Sequence, residues 1–293
     1  MVSVIIINYN TFSLTSSCIR SVYAHTKSVS FEVILVDNAS VECDADDFLR
    51  EFPQLKLIKS LTNAGFAAGN NLGIAAASGH YYLLLNSDTL LTEDSIGKAY
   101  HFLSERADVG VVGCRQVYPD GKIQFVARKF RSIRWELLDL FRFVTYLMPY
   151  KRRSRLLLGK YFKNDTTCEA DWVNGAFFMM PAAVVRAMPG QQLDDRFFMY
   201  GEDVLWCEQI RQLGYRIFFF ADTTIIHIAG ASTALKKQLQ LRNVMIRHEC
   251  AIMAMRKGKG LYYFLFCLLY VSKEYLRYMI KWGVYQFSGK LIK

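Results

Sequence analysis

Three observations predict an α/β fold of the doubly wound kind, with a mostly parallel sheet and amphipathic helices at its C-terminal end. Four short, near-continuous apolar runs fall within the first 86 residues, helical patterns separate them, and three of the runs end in polar residues. Strands covered on both faces read as unbroken apolar runs, and strands alternating with helices are parallel neighbours joined by crossovers. With 293 residues and 52% apolar composition the chain can bury a sizeable core.

In order, the strand runs are VSVIIIN (2–8), FEVILVD (31–37), LKLIKS (55–60) and YYLLLN (81–86), with helical patterns over 13–25, 45–52 and 66–78 between them. Crossovers between such strands are right-handed, and ligands bind beyond the carboxyl ends of the sheet. There the chain places Asn8, Tyr9 and Asn10, then Asp37 and Asn38, then Asn86, Ser87 and Asp88. No G-x-G-x-x-G follows the first strand and no G-x-x-x-x-G-K-[ST] occurs, so the phosphate cradles of dinucleotide and P-loop folds are missing. Amides and a carboxylate at strand ends can instead hydrogen-bond a base and a ribose, while a divalent cation neutralises a diphosphate. Asp88 is the natural ligand for that cation.

The stretch NAGFAAGNNLGIAAASG (63–79) carries Gly65, Gly69 and Gly73 at intervals of four, one face of a helix that can approach the sheet closely. Its asparagines, Asn63 and Asn70 among them, stand where they could reach a nucleotide. Further on, YGEDVLWCEQI (200–210) opens a helix with Glu202 and Asp203, near the positive end of the helix dipole, which favours their ionised forms. In isolation the pair is equally an ordinary acidic first turn. YRIFFFADTTIIH (215–227) is another apolar run, ending in His227, which alone reads as a plain strand-end histidine.

The net charge of +10 is unevenly placed. Residues 128–163 hold eleven Lys/Arg against two acids and residues 236–293 hold twelve against two, so the remainder is acidic. Both basic segments are rich in apolar side chains: Trp135, Leu138, Phe141 and Tyr146 interleave with Arg134, Arg142 and Lys151 to Arg153. In the tail, LYYFLFCLLYV (261–271) is an apolar run of eleven residues, short of the ~20 needed to span a bilayer. Lys273, Arg277 and Lys281 recur every four residues after it, which reads as a basic face suited to an anionic membrane surface, or as a solvated edge of two packed helices. No nucleic-acid motif accompanies the charge, so nucleic acid is not an expected partner. Seven cysteines without a C-x-x-C pair suggest a reduced, cytosolic compartment, and the opening MVSVIIINYN reads as a first strand rather than a signal peptide.

The blocks VIIINYN, ILVDNAS, NAGFAAGNNLGI, YYLLLNSD, DWVNGAFFMM, LDDRFFMYGEDV and IIHIAGAS occur in order from about residue 2 to 232. Together they resemble the family 2 inverting glycosyltransferases of the Rossmann-like GT-A fold, especially the bacterial rhamnosyltransferase-like branch. The resemblance implies that Asp37 contacts the nucleotide base, that Tyr9 packs on base or ribose, and that Asn86-Ser87-Asp88 is the metal motif, where Ser87 replaces the more usual proline. It implies that Asp203, with Glu202 beside it, is the catalytic base, and that His227 completes a Mn2+ or Mg2+ site with Asp88. Trp172, Asn174 and Gly175 would lie beside donor sugar and acceptor, although Trp172 is as readily a core residue. Leu205 departs from the family pattern, which carries a second aspartate there.

The resulting expectation is a GT-A domain over 1–235, interrupted by a basic amphipathic insertion at about 128–163, and a basic amphipathic helical tail over 236–293 that associates with membrane. Its activity would be transfer of L-rhamnose from dTDP-L-rhamnose to a hydroxyl of a lipid-linked glycan precursor, at the cytoplasmic face of a bacterial inner membrane. A UDP-sugar transferase (galactofuranose or hexose) uses the same motifs, and a catalytically silent membrane scaffold is the reading from another class. Homo-oligomer formation is left open.

Overall fold

The computed structural model describes residues 1–228 and 235–288, the side chains of 235–240 and 285–288 excepted. The end of the last sequence block (229–232), the 235 boundary and the final lysines, Lys290 and Lys293, therefore lie partly or wholly outside the described residues. The elements in chain order are β1 (Val2–Asn8), α1 (Phe12–His25), β2 (Phe31–Asp37), α2 (Asp47–Glu51), β3 (Lys56–Lys59), α3 (Phe66–Ala76), β4 (Tyr81–Asn86), β5 (Thr89–Leu91), α4 (Ser95–Ser104), β6 (Val109–Val117) and β7 (Ile123–Gln124). Then come α5 (Ile133–Leu140), α6 (Arg142–Tyr146), α7 (Tyr150–Leu157), β8 (Cys168–Ala170), β9 (Phe177–Pro181), α8 (Ala182–Ala187), α9 (Glu202–Gln212), β10 (Arg216–His227), α10 (Leu235–Lys257) and α11 (Leu261–Ser288). They form two units, Met1–Lys129 with Leu158–Ala231, and Phe130–Leu157 with Ser232–Lys293.

The first unit is built on a mixed sheet in the order β3-β2-β1-β4-β9-β6-β10-β5, with β7 on β6 and β8 on β10. Strands β3, β2, β1 and β4 are mutually parallel, β9 runs antiparallel to β4 and β6, and β10 returns parallel to β6. Register sets Asn8 opposite Asp37 and Ile7 opposite Asn86, so three strands end at one level. Both sheet faces are dry. Val4 and Ile6 of β1 join Ile19, Val22, Phe48, Ile96 and Leu103 in one buried layer. Ile5 and Ile7 point the other way, onto α3, where a Cβ at Gly73 would stand 2.4 Å from Ile5 Cγ2 and one at Gly69 would stand 3.3 Å from Ile7. Gly65 lies before the helix, not on its face. Its φ of +97° and a Cβ position 2.4 Å from the Phe198 carbonyl oxygen both demand glycine.

The second unit brings the two basic segments together. Ile246, Met253, Phe266 and Tyr270 form its core, with Ile133, Cys250, Tyr263, Cys267 and Val271 packed around them. Ser132 caps α5 by accepting from the Trp135 amide at 3.1 Å. Beside this core lies a charge cluster. Lys273 Nζ bonds Glu136 and, at 2.9 Å, Asp139; Arg277 bonds Asp139 and Glu274; Arg131 bonds Glu136 at 2.8 Å. Glu136 and Asp139 are the two acids of the 128–163 segment, and with Lys273 they are buried.

That cluster overturns the basic face expected from Lys273, Arg277 and Lys281, because two of the three turn inward to carboxylates on α5. Charge in a buried site is tolerated only when paired, so the acids dictate where these cations go. The outward stripe of α11 is apolar instead: Leu261, Phe264, Leu265, Leu268, Leu276, Met279 and Ile280 are exposed. Among the described residues no helix is long and apolar enough to cross a membrane.

Candidate active site

At the ends of β1 and β2, Asn8 donates from Nδ2 to Asp37 Oδ1 at 2.8 Å and to Ser40 Oγ at 3.0 Å, while its Oδ1 accepts from Thr15 at 2.8 Å. The other Asp37 oxygen accepts from the Ser40 amide at 3.1 Å. Asn8 is thus engaged within the fold at both ends of its amide, and what it does is hold Asp37 in place. Asn10, at a φ of +53°, accepts from the amides of Val41 and Glu42 and ties the following loop to the strand end. Tyr9 between them is exposed, open to a planar ligand. Asn63 accepts from Asn38 and from the Gly65 amide, and Asn70 is buried with Nδ2 on the Phe66 carbonyl. Both therefore shape the start of α3.

Between β4 and β5, Ser87 and Asp88 form a two-residue turn, and Ser87 Oγ lies 3.4 Å from Thr11 Oγ1. Asp88 Oδ1 is 3.3 Å from His227 Nε2, so residues 139 positions apart in sequence meet. The approach is fixed through the backbone: His227 faces Thr89 in the β5–β10 ladder and the Ile228 amide donates to the Asp88 carbonyl at 2.9 Å. The other ring nitrogen, Nδ1, is 2.8 Å from Gln124 Oε1. Two donors set at right angles about 2.1 to 2.4 Å from a hard cation lie about 3.0 to 3.4 Å apart, so the Asp88–His227 spacing fits a shared divalent ion. No third His, Cys, Asp or Glu joins them among the described residues, so further ligands would come from a diphosphate and water.

The second centre stands at the start of α9. Tyr200 and Gly201 both take left-handed backbone conformations, at φ +70° and +99°, and so turn the chain sharply into Glu202 and Asp203. Asp203 accepts from the amides of Val204, at 2.8 Å, and Gly175. The ionised forms expected from the helix dipole are not what the environment favours. Burial, followed by the Asp203 charge, pushes Glu202 up to about 8, and burial pushes Asp203 up to about 6 against the lowering effect of its amide bonds and of Arg128. A helix end contributes about 0.3–1 kcal/mol, less than the desolvation of a buried carboxylate. One oxygen of Glu202, Oε2, is buried without a hydrogen-bond partner.

Around this pair, Asn174 exchanges two hydrogen bonds with Gln116, at 2.7 and 2.9 Å, so its amide is held inside the protein. Trp172 is half-buried, with Nε1 on the Lys129 carbonyl and the Arg128 guanidinium 5.3 Å from its ring centre. At most one of its faces is left for a sugar.

Residues 3–168 match the sequence profile described as Glycosyl transferase family 2, which is more than half of the chain. The chain belongs to glycosyl transferase family 2. Among related proteins, the O-antigen biosynthesis protein RfbC of Myxococcus xanthus is 26% identical over 223 residues, 75% of this chain but 16% of RfbC. This family 2 glycosyltransferase therefore spans only a small part of that relative. The mannosyltransferase PcManGT from Pyrobaculum calidifontis, solved with GDP-Man and Mn2+, has a TM-score of 0.59 at 18% identity over 92% of this chain and 68% of its own. S. aureus TarS 1-349 has a TM-score of 0.57 at 14% identity over 99% of this chain and 75% of its own. These likenesses carry the GT-A fold.

In this family 2 glycosyltransferase, Leu205 is buried, so the position for which the resemblance implied an aspartate is here a packing position. Sequence reading missed Gln124, Gln116 and Arg128. Gln124 belongs to a two-residue strand, too short for any periodicity, and isolated glutamines carry no motif.

Proposed function

We propose that the chain is a metal-dependent inverting glycosyltransferase that moves L-rhamnose from dTDP-L-rhamnose onto a hydroxyl of a lipid-linked cell-surface glycan precursor. The observation that carries the transfer chemistry is Asp203, a half-buried carboxylate raised to about 6, held by the Gly175 amide beside Asn174 and Trp172. A base that titrates just below neutrality is ionised at work yet basic enough to take a proton. Asp203 removes the hydrogen of the acceptor hydroxyl as that oxygen attacks the anomeric carbon, and the bond from that carbon to the diphosphate breaks on the opposite side. Asp37 and Tyr9 bind and orient the nucleotide. Asp88 and His227 would hold Mn2+ or Mg2+, which when bound would supply positive charge to the leaving diphosphate.

Rhamnose as the sugar rests on the seven sequence blocks, and a glycan precursor as acceptor is supported by the likeness to RfbC, an O-antigen biosynthesis protein. The membrane part, peripheral binding at the cytoplasmic face of a bacterial inner membrane by the helices after residue 235, is supported by the exposed apolar stripe of α11. Asp203→Asn tests the assignment. With donor, Mn2+ and lipid-linked acceptor, the variant should lose transfer by about 10²–10⁴-fold, and undiminished transfer would refute it. Thermal-shift screening of nucleotide sugars tests the donor: selective stabilisation by dTDP-rhamnose supports this reading, and by UDP-sugars the alternative.

A further inference from the structure

We propose that Gln124 is a positioning residue that holds the His227 ring as its Nδ1–H tautomer, so that a bare Nε2 faces Asp88 and the two make a cation-binding pair. The inference rests on the reading of Asp88 and His227 as metal ligands and extends it to a residue that contacts neither metal nor nucleotide.

The partners of Gln124 fix the hydrogen on the Nδ1 side of the ring. Gln124 Nε2 donates to the backbone carbonyl of His227 at 2.5 Å. A carbonyl oxygen only accepts, so this end of the amide is its nitrogen and the orientation of the group is settled. The opposite end, Oε1, lies 2.8 Å from His227 Nδ1 and carries no hydrogen. Nδ1 therefore supplies it. A neutral imidazole has one N–H, which leaves Nε2 as a lone pair, 3.3 Å from Asp88 Oδ1, itself an acceptor. Two acceptors facing each other at that distance repel unless a positive charge sits with them. Gln124 thus creates a place where a cation is favoured, rather than a neutral hydrogen bond that closes the site.

The clamp is rigid. Gln124 is buried, pairs with Gln116 across β6 and β7, and accepts from Asn164 Nδ2 at 2.6 Å through its own carbonyl. The sheet ladder already fixes the backbones of His227 and Asp88, so ring rotation is the freedom left, and Gln124 removes it. Outer partners of this kind fix the tautomer and orientation of ligating histidines.

The test reads the ring directly. Long-range ¹H–¹⁵N spectra of the full-length, histidine-labelled protein at pH 8, with His227→Gln used to assign the signal, should show the hydrogen on Nδ1 and a bare Nε2. A hydrogen on Nε2 overturns the proposal without any change of sequence. Two variants separate positioning from mere support. Gln124→Glu keeps an acceptor for the Nδ1 hydrogen and should retain it on that nitrogen, and a hydrogen moved to Nε2 counts against the proposal. Gln124→Ala should lose the tautomer preference and weaken Mn2+ binding about 10–100-fold, read by electron paramagnetic resonance with Mn2+ alone and with dTDP. Gln124→Ala with unchanged tautomer and affinity overturns the proposal. Wild-type protein that takes up no Mn2+ in either condition sinks the metal reading itself, while the nitrogen signals still decide what Gln124 does to the ring.

Discussion

Replacing Lys273 by methionine keeps an unbranched side chain, one atom shorter, and removes the ammonium group with its hydrogen bonds, which isolates the buried cluster of the second unit. Lys273 is 3% exposed and touches Glu136 and Asp139, at 0% and 1%. Each carboxylate keeps one cation after the change, Arg131 for Glu136 and Arg277 for Asp139. Removing one partner from a buried ion pair leaves uncompensated charge and is destabilising by about 3–5 kcal/mol. The two remaining arginines place the expected loss near the lower end, about 3 kcal/mol, a large part of the roughly 5–15 kcal/mol of a typical domain. Urea unfolding at pH 7, followed by circular dichroism, measures it. A loss below about 1 kcal/mol is what an exposed pair gives and would refute an enclosed cluster. The same variant should still float with anionic liposomes, because Lys273 does not face outward.

Other perturbations read other parts of the molecule. Gly73→Ala pushes a methyl to 2.4 Å from Ile5 and should destabilise by about 1–3 kcal/mol in thermal or urea unfolding; an unchanged midpoint would mean that α3 is not pressed against the sheet. Glu202 binds its proton more tightly folded than unfolded, so the stability it contributes is full below about pH 4.5 and lost as pH rises through about 8. Glu202→Gln should flatten that decline in unfolding curves taken from pH 5 to 8, whereas parallel curves would place the carboxyl in solvent. Replacing Leu268 and Leu276 together by glutamate should abolish liposome flotation while leaving the fold intact, and flotation equal to wild type would remove α11 as the docking element.

Much of the sheet was legible because burial on both faces leaves a strong trace. VSVIIIN, FEVILVD and YYLLLN begin and end where β1, β2 and β4 do. LKLIKS was read two residues too long, since β3 is an edge strand with little to bury. The resemblance named Asp88, His227 and Asp203; the fold brings the first two within 3.3 Å of each other and sets the third in the first turn of α9. What remained hidden was pairing at long range. Eleven bases against two acids looked like a net charge, yet Glu136 and Asp139 decide where Lys273 and Arg277 point. Asn8 was read as a ligand contact from residue type and Asn174 from the resemblance, and only tertiary partners show that their amides are already occupied. The ionisation of Glu202 and Asp203 went the other way from the helix-dipole argument because burial is a property of the packed molecule.

The Asn86 amide donates to the Ala176 carbonyl at 3.1 Å, and the amide of the preceding Gly175 reaches the carboxylate of Asp203. The turn carrying Asp88 and the Asp203 carboxylate are therefore joined by two hydrogen bonds through the main chain of Gly175 and Ala176. Such a gauge does not change when side chains do. Under the roles proposed above, positions such as Trp172 could be altered to suit a different sugar while the span between Asp88 and Asp203 stays constant, so one scaffold could diversify its substrates without re-solving its chemistry.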